Sequence, residues 1–349
     1  MTSAQQPGET APSPDRHEGT FGAVALAAYQ PDESMFARQL KSIQDQTHKD
    51  FVCIISVDGD YAAVEAMVRR ACGDDTRFHV LGYESRLGFH HNFERALQAV
   101  PEAAQWVALS DQDDFWYPEK LEALIPHLDQ SALVTGQARV VTPEASTAGR
   151  RSEGGTVTGR RNVDAADFIA NNQVTGSLCV FRRELLEVAL PFPSIAAPSQ
   201  YHDHWIGLCA LAFGGVSIQD VVVQDYIQHS GNVVGEARQS LPGSIRNTLR
   251  FVKRYEGSTT PRSIGRIIYK TGLGWRTLMA RTLLERSGPA VESACPGLID
   301  ALGTYAQPRA LRLLRSLVGG MLRKNVSPIR AMEIFLGLAW PRKLRRAAL

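Results

Sequence analysis

From residue 23 to residue 110, short apolar runs alternate with stretches of helical periodicity. Ala23–Tyr29 (AVALAAY), Phe51–Val57 (FVCIISV), Phe78–Leu81 and Trp106–Leu109 have the length and composition of buried strands. Between them, Phe36, Leu40 and Ile43 fall at helical spacing in Pro31–Thr47, Ala62–Cys72 is a second helix, and His90–Val100 carries Phe93 and Leu97 on one face. This alternation predicts a parallel α/β sheet flanked by helices. Such sheets bind ligands beyond the carboxyl ends of their strands, so the loops after Tyr29, Val57 and Leu109 are where chemistry is expected.

The pattern continues less regularly. Glu119–Leu128 reads as a helix, Ala132–Val141 and Gln173–Phe181 as strands, and Arg183–Leu190 as a helix. Tyr201-His202-Asp203-His204-Trp205 introduces an apolar helix, Ile206–Phe213, followed by a strand at Val216–Val223 and a polar loop at Tyr226–Gly235. Thr142–Asn162 and Pro191–Gln200 are surface loops by composition. From Ser244 onward helical periodicity dominates, and Arg309–Lys324 and Ile329–Arg346 are basic and amphipathic. The expected organisation is a disordered tail at 1–20, an α/β domain at 21–240 and a basic helical region at 241–349.

Charge reinforces that division. The net charge is only +2, yet Ser244–Leu349 holds 20 Lys and Arg against 5 Asp and Glu, leaving the rest of the chain strongly acidic. A basic helical tail fits either a cap with a solvated face or contact with an anionic membrane. Nucleic acid is excluded as a partner, because the tail's aromatic residues do not interleave with its basic ones. The five cysteines have no CxxC spacing, and three sit in apolar runs, which suits a reducing, cytoplasmic compartment. No apolar stretch reaches transmembrane length.

The densest chemistry lies in Trp106–Pro118, WVALSDQDDFWYP. A buried strand ends in Asp111, Asp113 and Asp114, whose mutual repulsion a hard divalent cation would offset. Phe115-Trp116-Tyr117 reads as an aromatic wall. Asp58-Gly59-Asp60 ends the second strand in the same way, although an Asp before Gly is also an ordinary turn residue.

Taken together in order and spacing, several segments resemble the family 2 inverting glycosyltransferases of GT-A fold, the bacterial rhamnosyltransferase-like group in particular. They are LKSIQDQTHKDFVCIISVDG, ESRLGFHHNFERAL, SDQDDFWYPEKL, VTGSLCVFRREL, the HDHW segment and YIQHSGNVVG, spanning about Val24 to Gly235. The resemblance implies a nucleotide-diphosphate sugar donor and Mg2+ or Mn2+. It assigns the cation to Asp113 and Asp111, with Asp114 in support and His229 as a further ligand. Donor contacts are implied for Tyr29, Gln30, Asp58, Arg86, Asn92, Asp111 and Gly176. Asp203 matches the base that deprotonates the acceptor, with His202 as the fallback; the alternative of a helix N-cap is disfavoured by the neighbouring His202, His204 and Trp205. The family usually has two adjacent acids where this chain has Val57-Asp58.

The resemblance also implies a glycan or lipid-linked acceptor, a role in cell-envelope polysaccharide synthesis and a place on the inner face of the membrane. The Q-x-x-R-W pattern of processive synthases is absent. Two other readings remain: a sugar nucleotidyltransferase, disfavoured because Tyr29-Gln30-Pro31 replaces a Gly-rich phosphate loop, and a degenerate transferase acting as a membrane-bound scaffold.

Overall fold

The computed structural model describes residues 20–83, 85–142, 151–152, 154–198, 200–228, 241–287 and 297–340. The expected N-terminal tail up to residue 19, His229 and the loop residues after it, Cys295 and residues 341–349 lie outside the described residues.

Strands β1 (Gly22–Ala28), β2 (Phe51–Val57), β3 (Phe78–Gly82) and β4 (Trp106–Ser110) lie side by side as β3-β2-β1-β4, all parallel. Helices α1 (Glu33–Gln44), α2 (Tyr61–Cys72) and α3 (Phe89–Gln98) make the crossovers. Asp32 and Asp60 cap α1 and α2 by accepting from backbone N–H groups of the first turn. This half of the sheet is the predicted one, with boundaries shifted by one to three residues.

The second half is mixed. It contains β5 (Phe115–Trp116), β6 (Leu133–Val141), β7 (Thr156–Val157), β8 (Cys179–Arg182) and β9 (Val216–Ile227), with the order continuing β4-β8-β6-β9-β5 and β7 beside β6. Here β8 is antiparallel to both β4 and β6, β9 is parallel to β6, and β5 is antiparallel to β9. Between and after these strands lie α4 (Lys120–Leu124), α5 (Ala165–Ala170), α6 (Leu186–Ala189) and α7 (His202–Ala212).

Three expectations change here. The strand expected over Gln173–Phe181 begins only at Cys179, because Gly176–Leu178 form a tight turn whose polar groups bond to side chains. The helix expected over Glu119–Leu128 tightens into a 3₁₀ turn at Ile125–Asp129, where Pro126 lacks the N–H an α-helix needs. The aromatic pair Phe115-Trp116 forms an edge strand, and β9 runs on to Ile227 to receive it.

The helical region comprises α8 (Leu241–Glu256), α9 (Pro261–Tyr269), α10 (Trp275–Ser287), α11 (Leu298–Ala306), α12 (Ala310–Leu322) and α13 (Pro328–Leu336). Along β1, side chains alternate between two cores: Val24, Leu26 and Ala28 pack toward α1 and α4, while Ala23 and Ala25 belong to the cluster that reaches Leu313 and Ile334. The helical region therefore shares one core with the sheet. No helix among the described residues is long and apolar enough to cross a membrane. Cys53, Cys72, Cys179 and Cys209 are buried free thiols.

Polar anchors fix this region to α5. Arg323 donates to both oxygens of the buried Asp167 carboxylate at 2.8 Å, and Asn325 adds a 2.6 Å bond to it. Buried Arg276 satisfies the Ala170 carbonyl at the end of α5 with two donors, at 3.0 and 2.7 Å. Arg323→Ala removes the counter-charge from a buried carboxylate. It should cost about 2 kcal/mol in urea denaturation, below the range for a fully buried pair because Arg323 is half-exposed.

Candidate active site

The site forms where the parallel half of the sheet changes direction, between β1 and β4. Gln112 joins the two strand ends like an extra rung. Its side-chain oxygen accepts from the Tyr29 N–H at 2.7 Å and its Nε2 donates to the Tyr29 carbonyl at 3.1 Å. Gln30 follows with φ of 43°, an uncommon conformation for a residue with a side chain. The Arg86 guanidinium lies over the Tyr29 ring at 3.9 Å. Tyr29, Gln30 and Arg86 thus line one exposed rim.

Asp58 and Asn92 are not on that rim. Asp58 is 2% exposed and accepts from the Leu87 and Gly88 N–H groups, each at 2.8 Å, and from Arg95 at 2.9 Å. Gly88 begins α3 with φ of 82°, which a side chain would resist. Asn92 is 1% exposed, accepts from Ser56 at 2.6 Å and donates to the Ala28 carbonyl at 3.2 Å. Of these two residues, both expected as donor contacts, Asp58 holds the Arg86–Gly88 loop, while Asn92 ties α3 to β1 and β2. Arg95, which does much of this, sits in a helical pattern that does not distinguish it.

The carboxylates after β4 divide by burial. Asp111 and Asp113 are half-buried, whereas Asp114 is fully buried and accepts from Gln224 at 2.8 Å and from the Ile227 N–H at 3.3 Å. Asp114, expected as a supporting ligand, thus belongs to the interior. Behind it the Lys120 ammonium donates to the Ser177 carbonyl and, at 2.7 Å, to Gln224, and lies 3.5 Å from the Trp116 ring centre. Gln224 also donates to the Ser177 hydroxyl at 3.0 Å. This knot ties the Asp111–Asp114 loop, α4, β9 and the Gly176–Leu178 turn together. Burial, and then the charges of Asp113 and Asp111, push the Asp114 carboxyl well above its ordinary range; burial pushes the Lys120 ammonium well below its own, against the pull of the Asp114 charge.

Asp203 faces the same turn. It lies in the first turn of α7, whose N-cap is Tyr201, so it is not the N-cap residue. Its carboxylate accepts from the His204 N–H at 2.6 Å, from Asn172 at 3.0 Å and from the Gly176 N–H at 3.2 Å. Burial pushes it up to about 6 despite those bonds. Asp111 is pushed up to about 7, by burial first and then by the charges of Asp113 and Asp203. Gly176 is where the two sides meet: a Cβ there would lie 2.7 Å from His202 Nε2 and 3.6 Å from Asp203 Cβ.

His202 stacks on Phe93 with ring centres 3.9 Å apart, and neither ring nitrogen has a hydrogen-bond partner. Burial drives its pKa well below the usual value, which makes it a weaker proton acceptor than Asp203. His204 bonds the Phe168 carbonyl at 3.0 Å and is structural.

A divalent cation fits this donor set. Asp111 and Asp113 offer two hard, half-exposed oxygen ligands whose repulsion a cation would relieve, and two carboxylates completed by substrate phosphates and water are a usual Mg2+ arrangement. No cluster of three or more metal-binding side chains exists among the described residues. Arg38, which the sequence reading passed over, donates to the Asp113 carbonyl at 3.4 Å and brings positive charge to the same loop.

Residues 23–190 match Glycosyl transferase family 2. The match covers just under half of the chain. The chain's mixed sheet and flanking helices are GT-A-like. Among solved structures, S. aureus TarS 1–349 in complex with UDP-GlcNAc is 16% identical with a TM-score of 0.51, covering 92% of this chain and 91% of that one. The mannosyltransferase PcManGT from Pyrobaculum calidifontis, in complex with GDP-Man and Mn2+, is also 16% identical, with a TM-score of 0.45 over 99% of this chain and 89% of that one. At such identity the TarS likeness speaks for the fold alone. No curated protein matches the sequence.

Lys120→Met keeps the side-chain length but leaves the Ser177 carbonyl and Gln224 without their donor. The protein should lose about 3 kcal/mol of stability in denaturant titration.

Proposed function

We propose that this protein transfers a glycosyl group, with inversion, from a nucleotide-diphosphate sugar to a hydroxyl of a glycan or lipid-linked acceptor. The observation that carries this reading is the approach of two kinds of carboxylate across the Gly176 turn. Asp111 and Asp113 stand on one side, half-exposed and hungry for a cation. Asp203 stands on the other, with its pKa raised into the range of a working base.

In this reading Asp111 and Asp113 hold Mg2+ or Mn2+, which when bound acts as a Lewis acid on the departing diphosphate. The rim of Tyr29, Gln30 and Arg86 receives the nucleotide, and Asp58 acts by shaping the loop that presents Arg86. Gly176 lets the donor sugar approach the backbone closely. Asp203 takes the acceptor proton as the new bond forms on the face opposite the leaving group. Its three hydrogen bonds come from fixed donors, so its carboxylate is held in place before substrate arrives. The resemblance makes deoxyhexose donors the first to try.

Asp203→Asn should lower kcat by about a thousandfold while leaving nucleotide affinity by calorimetry unchanged; a mutant of near-normal activity would remove Asp203 as base. The sign of the pH dependence follows from its pKa. Below about 6 the carboxyl is protonated and cannot accept, so kcat should rise through that pH and level off above it. Asp113→Ala should abolish the Mn2+-dependent part of nucleoside diphosphate binding, and equal binding in chelator by the native protein would sink the metal assignment. A nucleotide-sugar panel, deoxyhexose donors included, identifies the donor.

A further inference from the structure

Helix α12 is apolar on two opposite faces. Leu313, Leu317 and Gly320 are buried and seat it on the fold. On the other side Leu311, Leu314, Val318 and Leu322 are exposed, Leu311 to 61% and Leu322 to 80%. Their spacing of three, four and four residues keeps them along one line of a helix with about 3.6 residues per turn. The neighbouring α13, which packs against α12, repeats the arrangement: Ala331 and Ile334 point inward, while Met332, Phe335 and Leu336 are exposed. A helix that only caps a sheet has no physical reason to keep leucines in water, and a contiguous exposed apolar strip of this kind marks a contact surface.

Charge selects the occupant. Residues 309–349 contain 10 Lys and Arg and a single acid, Glu333. Arg309, Arg312 and Arg315 are exposed and border the leucine strip. A second copy of this chain would bring like charge against like charge. An anionic lipid surface satisfies both parts, because acyl chains accept the strip and headgroups meet the arginines. We propose that the outer face of α12 and α13 docks this protein on an anionic lipid bilayer. The docking requires neither donor nor acceptor, so it stands or falls apart from the transfer reaction.

Co-sedimentation of the full chain with vesicles of phosphatidylcholine, with and without phosphatidylglycerol, tests it. The native protein should partition onto the anionic vesicles and only weakly onto the neutral ones. Leu322→Ser alone, and Leu311→Ser with Leu322→Ser, should lower the partition coefficient by about tenfold or more with no change in thermal midpoint, since these side chains are already in water. Arg309→Glu with Arg315→Glu should remove the preference for anionic lipid. The proposal is overturned if the native protein stays in the supernatant, or if the leucine variants bind as well as the native chain. It is likewise overturned if those variants dissociate an oligomer in sedimentation velocity while binding lipid normally.

Discussion

Carboxylates withdrawn from water repel one another more strongly the closer they are brought, and this protein gathers Asp111, Asp113, Asp114 and Asp203 around a single turn. The arrangement persists because each acid is treated differently. Asp114 is buried and bonded to Gln224 and a backbone N–H, with the Lys120 ammonium close behind. Asp203 is restrained by three neutral donors and keeps a raised pKa. Asp111 and Asp113 keep access to solvent. The Lys120–Ser177–Gln224 knot makes the sorting possible, because it fixes which acid faces inward and joins the turn at Gly176 to the loop at Asp111.

The parallel half of the fold was readable because local rules suffice there. Phe51–Val57 is continuous in apolar residues, and the flanking helices announce themselves by spacing and by Asp caps. The mixed half was harder. Whether Gln173–Phe181 pairs along its length depends on Lys120 and Asp203, which lie 57 and 27 residues from the atoms they bind. A hydrophobic pattern carries no record of such partners.

The same reasoning separates the parts of the site. Asp111, Asp113 and Asp203 stood out as acids placed at element ends, and the structure brings them around one turn. Asp58 and Asn92 were equally conspicuous, yet the Asp58 carboxylate serves the Arg86–Gly88 loop and the Asn92 amide ties α3 to the strands. Lys120 and Gln224 were invisible because a lysine at the start of a short helix and a glutamine in an edge-flanked strand look like surface residues. Only tertiary burial makes them otherwise.

The match to the family 2 model ends at residue 190, thirteen positions before Asp203. The support of Asp203 crosses that limit: it runs through Asn172 and the end of α5 to Asn171, whose amide reaches the Asn325 carbonyl at 3.0 Å, and to the Arg323 clamp on Asp167. The border suggested by kinship therefore passes between the acids that would grip the leaving group and the acid that would face the acceptor. The contacts that seat α5 and, through Asn172, Asp203 reach as far as Asn325, well past that border.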